Sequence, residues 1–323
     1  MVNSPRAIIT GTSSFVGAHL ARAFADAGYA VTATHSRPRS AYDGIHAERL
    51  AFVAERVGLE VLDVTDGEAV ADLAHRARPA LWVHHAGHAT DYASPDYDAY
   101  AGAAINVQPL DAIFTAAAET RGGVIVTGSS AEYASSDVGN CENDAGRPET
   151  PYGASKLAET ERARVLSQIT GVPVRVGRLY IPFGRLDHPA KLLAQVMTGL
   201  RTGTPIDLSP CTQRRDFIGV GDVCRAWLAL ADDLAGGGVD VFNICSGSAT
   251  ELRTLLETLA DTLGADSGLL RFGVRPMRPG EPAISFGDNA KARRRLNWTP
   301  RSLAQAVRED LLEQTHAATT SIV

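Results

Sequence analysis

Tyr152 and Lys156 stand four residues apart in Pro151-Tyr152-Gly153-Ala154-Ser155-Lys156, a run with few helix breakers after Pro151. On a helix, residues i and i+4 share one face, so a phenol and an ammonium would meet there. A free tyrosine ionises near ~10 and moves protons poorly at neutral pH, but a neighbouring ammonium favours the phenolate. Bringing the phenol to ~7 takes about three units, or roughly 4 kcal/mol, part of which a bound oxidised nicotinamide could supply. A pair tuned in this way passes a proton to or from a sugar or alcohol oxygen. The same spacing also fits a solvated helix face, so the elements around the pair must decide.

Those elements begin with a glycine loop. Thr10-Gly11-Thr12-Ser13-Ser14-Phe15-Val16-Gly17 joins an apolar run, Ala7–Thr10, to an Ala-rich amphipathic run, Ser14–Ala27. Glycines at such a strand–helix junction let backbone N–H groups approach a pyrophosphate beside the helix N-terminus. Gly11, Ser13, Ser14, Phe15, Val16 and Gly17 are therefore candidate dinucleotide contacts. Ser14 takes the place of a middle glycine, where its hydroxyl could bond a phosphate; an ordinary strand–helix turn is the plainer reading. An acid at the end of the second strand would select NAD by binding a ribose hydroxyl. The run there is Thr34-His35-Ser36-Arg37-Pro38-Arg39, a hydroxyl and two arginines suited to a 2′-phosphate. His35, Ser36 and Arg37 thus point to NADP, with NAD the alternative and a basic surface loop the bland one. Asp63, followed by Val64, ends a third strand where a carboxylate could accept the adenine amino group. Asp66 reads as a helix N-cap.

Apolar strands alternate with amphipathic helices through the first half. Strands are expected at Ala30–Thr34, Leu59–Leu62, Leu81–His84, Gly123–Thr127 and Val172–Arg178, and helices at Glu68–Arg78, Tyr97–Thr120 and Pro151–Ile169. This rhythm predicts an α/β, Rossmann-type, doubly wound parallel sheet. After Tyr180, proline and glycine punctuate the chain, which predicts a cofactor domain over 1–180 and a smaller mixed α/β substrate domain over 181–323. Val241–Ile244 is a strand expected to rejoin the first sheet.

Of the 323 residues, 45% are hydrophobic and 21% charged, the balance of a soluble globular chain. The net charge of −6 argues against nucleic acid as a partner, although a local arginine cluster would still hold a small anion. Cys141, Cys211, Cys224 and Cys245 lack metal or disulfide spacing and read as free thiols. Met1–Ala7 is too short and polar for a signal peptide, and no apolar run reaches the ~20 residues of a membrane span. A cytoplasmic protein with no membrane partner is expected. His84, His85 and His88 cluster without the spacing of a metal site, so no metal is expected. Trp227, in an apolar helical pattern, reads as core.

Taken in order, these motifs resemble the extended short-chain dehydrogenase/reductase family, in its nucleotide-sugar epimerase/dehydratase/reductase branch. The resemblance spans nearly the whole chain. It runs through Thr10–Gly17, Asp63-Val64, His84-His85-Ala86-Gly87, Asn106-Val107, Gly128-Ser129-Ser130-Ala131-Glu132-Tyr133 and Tyr152–Lys156. It continues in Arg215-Asp216-Phe217-Ile218, Phe242-Asn243-Ile244, Arg278-Pro279-Gly280-Glu281 and Leu296–Pro300. His84–Gly87, Ile181-Pro182-Phe183-Gly184 and Gly219-Val220-Gly221-Asp222 depart from the family pattern. The resemblance implies that Tyr152 is the proton donor, that Lys156 lowers its pKa and bonds the nicotinamide ribose, and that Ser129 orients the reacting oxygen. It implies cofactor contacts at His85, Ala86, Gly87 and Asn106, and substrate contacts at His88 and Ser130. Arg215 and Arg278 would hold a nucleotide diphosphate, or else make surface ion pairs. The Tyr97–Thr120 and Pro151–Ile169 helices resemble those of the family's homodimer interface.

Sugar dehydratases of this family carry an acid one or two residues after the catalytic hydroxyl. Here those places hold Ser130 and Ala131, with Glu132 one step later. The expected activity is NADP-dependent reduction of a nucleotide-linked keto-hexose, a 4-keto-6-deoxy sugar by family inference. The alternatives are a 4-epimerase with tightly held NAD and a cofactor-sensing scaffold without turnover; the intact Ser129, Tyr152 and Lys156 set weighs against the scaffold.

Overall fold

Ala7 and Ile9 point to one side of the first strand and Ile8 to the other, and all three are buried. Burial on both faces is the mark of a parallel sheet covered by helices. The computed structural model describes residues 4–278 and 280–312. In chain order the first half comprises β1 (Arg6–Ile9), α1 (Phe15–Asp26), β2 (Ala30–His35), α2 (Gly44–Ala54), β3 (Gly58–Val61), α3 (Gly67–Ala77) and β4 (Leu81–His84). These are followed by α4 (Ala99–Gly102), α5 (Pro109–Thr120), β5 (Gly123–Ser129), α6 (Pro151–Thr170) and β6 (Val174–Leu179).

Then come β7 (Ile181–Phe183), α7 (Leu192–Thr202), β8 (Ile206–Asp207), β9 (Arg214–Arg215), β10 (Phe217–Gly219), α8 (Val220–Asp233) and β11 (Val239–Ile244). The last elements used below are β12 (Thr250–Glu251), α9 (Leu252–Leu263), β13 (Leu270–Arg271), β14 (Ile284–Ser285), α10 (Ala290–Leu296) and α11 (Leu303–Val307).

Seven strands form one parallel sheet in the order β3-β2-β1-β4-β5-β6-β11. The doubly wound Rossmann-type sheet read from the sequence is the one observed. One face is covered by α1, α2 and α8, whose Phe24, Val53 and fully buried Trp227 pack on Ile9, Val83 and Ile125. The other is covered by α3, α5 and α6 over Trp82, Val124 and Val126. A third apolar cluster lies among α7, α9 and α11, around Leu200, Leu255, Leu256 and Val307.

The expected single helix over Tyr97–Thr120 is broken. A short α4 leads into a π-helical turn at Ala103–Val107, and α5 starts afresh at Pro109. Proline lacks the N–H that would continue the ladder, and a π-turn widens the backbone. The widened turn carries the buried Asn106, whose Nδ2 donates to Ser155 Oγ at 2.8 Å.

Helix α6 is defined by its ends. Thr150 caps it by accepting from Gly153 N at 3.0 Å, Pro151 sits in the first turn, and Gly171 closes it in the left-handed region. Its buried face is mixed: Ala163 and Leu166 join the apolar cluster on the sheet, while Ser155, Lys156, Glu159, Thr160 and Ser167 are polar.

Candidate active site

The β1–α1 loop and the β4, β5 and α6 termini meet at the carboxyl edge of the sheet, where open parallel sheets bind ligands. They enclose a cleft of about 400 Å³ lined by Ser14, Phe15, Val16, His85, Gly87, His88, Asn106, Ser129, Ser130, Tyr152 and Lys156.

Gly11 has φ +75°, and a Cβ there would lie 2.8 Å from Ala86 N. The loop can therefore pass tightly over the end of β4 only as glycine. Ser14 is the N-cap of α1: its Oγ accepts from Gly17 N at 3.1 Å and lies 3.1 Å from His85 Nε2. His85 Nδ1 reaches Thr127 Oγ1 at 2.9 Å. Burial lowers the His85 pKa to about 3, with Lys156 adding to the effect, so the ring stays neutral. His85 N and Ala86 N both donate to Thr10 Oγ1 at 3.0 Å. The loop, the helix N-terminus and the cleft beside them fit a dinucleotide.

The three clustered histidines diverge. His84 is fully buried beneath the cleft, His85 faces Ser14, and the His88 ring packs against Tyr97 with centroids 5.3 Å apart. His88 N donates to Asn106 Oδ1 at 2.7 Å, so the π-turn positions this wall of the cleft.

Tyr152 lines the cleft together with Ser129 and is packed edge-on between Tyr92 and Tyr97. Gly153 permits this contact: a Cβ there would sit 2.1 Å from Ala131 O, so α6 touches the 130–132 turn as no other residue would allow. Burial raises the Tyr152 pKa; Lys156 and Ser129 pull it down, and Glu159 and Tyr97 push it up, leaving it above the ordinary value. The ammonium thus acts in the direction read from the sequence, but desolvation outweighs it in the protein alone. Lys156 is itself buried and is held by Glu159 on the next turn of α6. Burial lowers its pKa, yet Glu159 and the Tyr152 phenol outweigh that and raise it.

Glu132 turns away from the cleft. It is fully buried; Oε1 accepts from Ser129 N at 2.8 Å, and Oε2 from Arg178 Nε at 2.7 Å and Thr160 Oγ1 at 2.9 Å. No carboxylate from the 129–132 segment faces Tyr152, and Ser130 and Ala131 line the wall instead.

Other residues named from the sequence lie apart from this cleft. His35 is 3% exposed: its Nδ1 reaches Arg37 O at 2.5 Å and its ring packs edge-on against Tyr42. Arg37 and Ser36 are exposed; the guanidinium lies 4.6 Å from the Tyr42 ring centroid and the hydroxyl 3.3 Å from Tyr42 OH. Asp63 Oδ1 accepts from Thr65 N and Oγ1, and Val64 is buried. Arg215, on β9, donates to Glu281 Oε1 at 3.0 Å, while Arg278 is exposed.

Three cleft residues carry no signal in the sequence. Tyr92 and Lys191 come from loops, and Thr127 reads only as a strand residue. Lys191 pairs with Asp187 Oδ1 at 2.9 Å. Among the described residues no helix is long and apolar enough to cross a membrane.

Comparison with known proteins agrees with this geometry. Residues 7–245 match the NAD dependent epimerase/dehydratase family. A UDP-glucose 4-epimerase of Azospirillum brasilense is 27% identical over 320 residues, covering 92% of this chain and 88% of the relative. A dTDP-4-dehydro-6-deoxyglucose reductase of Escherichia coli is 30% identical over 132 residues, covering 39% and 41%. The fold superposes on that of a Thermotoga maritima UDP-glucose 4-epimerase solved with UDP-glucose, at a TM-score of 0.78 and 20% identity over 94% of this chain and 97% of that one. A glycine-loop cleft beneath a tyrosine–lysine helix, on a sheet matched over this span, places the chain in the NAD dependent epimerase/dehydratase family, whose members are oxidoreductase-type enzymes acting on nucleotide sugars.

Proposed function

We propose that the protein reduces a nucleotide-linked keto-hexose with NADPH, a 4-keto-6-deoxy sugar being the preferred substrate class. The observation that carries this reading is that Tyr152 and Ser129 line one cleft while Glu132 is locked onto Arg178. Elimination of water needs an acid or base placed beside the hydroxyl; reduction needs only a proton donor.

A reduced nicotinamide dinucleotide, when bound along the Gly11–Gly17 loop, supplies hydride to the keto carbon. Tyr152 then gives its proton to the developing alkoxide. Ser129 hydrogen-bonds the same oxygen and fixes it, and the Lys156 ammonium stabilises the phenolate left behind. Ser36 and Arg37, at the end of β2 with no acid beside them, support NADP. Arg215 and Arg278 would take the substrate diphosphate, with Arg215 exchanging Glu281 for it, and His88 and Ser130 would meet the sugar. Exposed Val165 and Ile169 on α6 support a homodimer through that helix.

The test is NADPH oxidation by purified protein with a panel of nucleotide-linked 4-keto-6-deoxyhexoses. Turnover with one of them is expected; none with any would sink the reading. One observation favours a second reading, 4-epimerisation: the similarity to a UDP-glucose 4-epimerase runs over 92% of the chain. NAD that co-purifies and resists gel filtration, with interconversion of UDP-hexoses, would replace the first reading by this one.

A further inference from the structure

Lys156 does not face Tyr152 alone. On the other side of its ammonium lies Glu159, a carboxylate 1% exposed whose Oε2 accepts from Lys156 Nζ. Its Oε1 faces His84 Nε2 at 3.8 Å, and neither atom has a hydrogen-bond partner. The His84 tautomer follows from its other side. Thr10 Oγ1 already accepts from His85 N and Ala86 N, so its own hydrogen goes to His84 Nδ1 at 3.4 Å. Neutral His84 therefore carries its proton on Nε2, toward the carboxylate. Burial and Lys156 together hold the His84 pKa down to about 3, so this ring is not a second cation for Glu159.

The remaining neighbours are accounted for. Glu132 adds negative charge but is matched by Arg178, His85 is neutral, and Thr160 donates to Glu132. Lys156 is the cation that touches Glu159, and Tyr152 is the acid that shares this cation.

We infer that Glu159 is a positioning residue for the reaction: it anchors the Lys156 ammonium and, by its own protonation, sets how much of that positive charge Tyr152 feels. This rests on the reading of Tyr152 as proton donor. With Glu159 ionised, carboxylate and ammonium cancel and the phenol holds its proton tightly. With Glu159 protonated, Lys156 turns its whole charge on Tyr152 and the phenolate is favoured. Once Tyr152 has given its proton to the substrate oxygen and Glu159 has taken one up from solvent, phenolate, ammonium and carboxylic acid carry no net charge, just as phenol, ammonium and carboxylate carried none before. The buried pocket is spared an unmatched ion. Burial, opposed by Lys156, raises the Glu159 pKa to about 7, which puts the exchange in the neutral range.

The test is a tyrosinate absorbance titration of the full chain, with the same titration of Tyr152→Phe subtracted to isolate one phenol. In Glu159→Gln, against Glu159→Gln/Tyr152→Phe, the phenolate should appear about one pH unit or more lower than in wild type. An unmoved titration in a protein with native circular dichroism and native NADPH binding overturns the inference. If the glutamine variant does not fold, Glu159→Asp decides. Its acid is drawn back from Lys156, so a smaller shift in the same direction is support and no shift is refutation. This readout needs no substrate, so a failed keto-sugar assay leaves it standing. Where turnover is found, Glu159→Gln should also remove the limb of the kcat–pH profile near neutrality while KM stays within twofold, a split that a merely structural role would not give.

Discussion

Tyr152 is pulled two ways, by desolvation that keeps its proton and by Lys156 and Ser129 that loosen it. Removing only the hydroxyl keeps the ring between Tyr92 and Tyr97. Tyr152→Phe is therefore expected to lower turnover by about 10²–10⁴-fold with NADPH affinity unchanged in a fluorescence titration; retained turnover would remove Tyr152 from its role. Glu132 and Arg178 make a different kind of pair, structural and fully enclosed. Arg178→Met strands a buried carboxylate and should cost about 3–5 kcal/mol in urea denaturation. Converting both partners to apolar residues should restore most of that. Equal losses in the single and double variants would show that the pair is not the reason.

The residues that do chemistry are legible in the sequence to unequal degrees. Tyr152, Lys156 and Ser129 stand in motifs with a fixed order. Glu159 does not: a glutamate three residues after a lysine reads as a solvated helix pair, and only the packing of α6 onto the sheet, with His84 facing it, buries it. Glu132 is legible as a residue in the wrong place for dehydration, but its Arg178 partner is distant in sequence and met through the sheet.

At the scale of elements, the contact between α6 and the 130–132 turn decides whether Tyr152 reaches Ser129. Gly153→Ala places a methyl against Ala131 O. The two elements must move apart, with an expected loss of about 1–3 kcal/mol in thermal denaturation. Turnover should fall more steeply than NADPH binding; a variant as active and as stable as wild type would show that the contact yields freely. The central strands of the main sheet are readable because burial on both faces leaves continuous apolar runs such as Leu81–His84, whereas the mostly exposed edge strand β3 is readable only as a short β-rich run. Helix α2 went unread: only Arg49, Leu50 and Val53 are buried in it, too sparse for a clear periodic stripe. The break in 97–120 was missed for the opposite reason. Alanines on both sides of Pro109 keep the helical pattern running, and the π-turn exists to place Asn106, a tertiary demand that local sequence does not display.

For the whole molecule, two sets of buried groups answer acid in opposite directions. His84 is neutral in the fold, with a pKa near 3 against an ordinary 6.5, as are His85 and, with a pKa lowered by burial to about 4, His19. Below pH 6.5 the unfolded chain takes up protons that the folded one refuses, so stability falls with pH. The slope for fully buried His84 reaches about 1.4 kcal/mol per pH unit. Glu159 and Asp216 have pKa values raised by burial to about 7 and about 6, from 4.5 and 3.8. Above those ordinary values the folded state holds the extra proton, so their share of stability grows as pH falls. The opposition ends once pH drops below about 4. Melting temperature should therefore fall gently from pH 6.5 to 4.5, where one histidine goes unopposed, and more steeply from 4.5 to 3. A steep fall between 6.5 and 5 would mean that the two carboxyls are not proton holders in the fold.

The place of β11 has a consequence for synthesis. This strand, at Val239–Ile244, pairs with β6 only after residues 180–238 have intervened. As the chain leaves the ribosome, the outer edge of β6 and the Arg175 guanidinium, whose partners include Asp233 and the Gly237 and Gly238 carbonyls, wait for this late segment. An unpaired parallel edge is a template for wrong pairing. A nascent chain stalled before residue 239 should thus depend on a chaperone for solubility, and one released beyond residue 245 should depend on it far less.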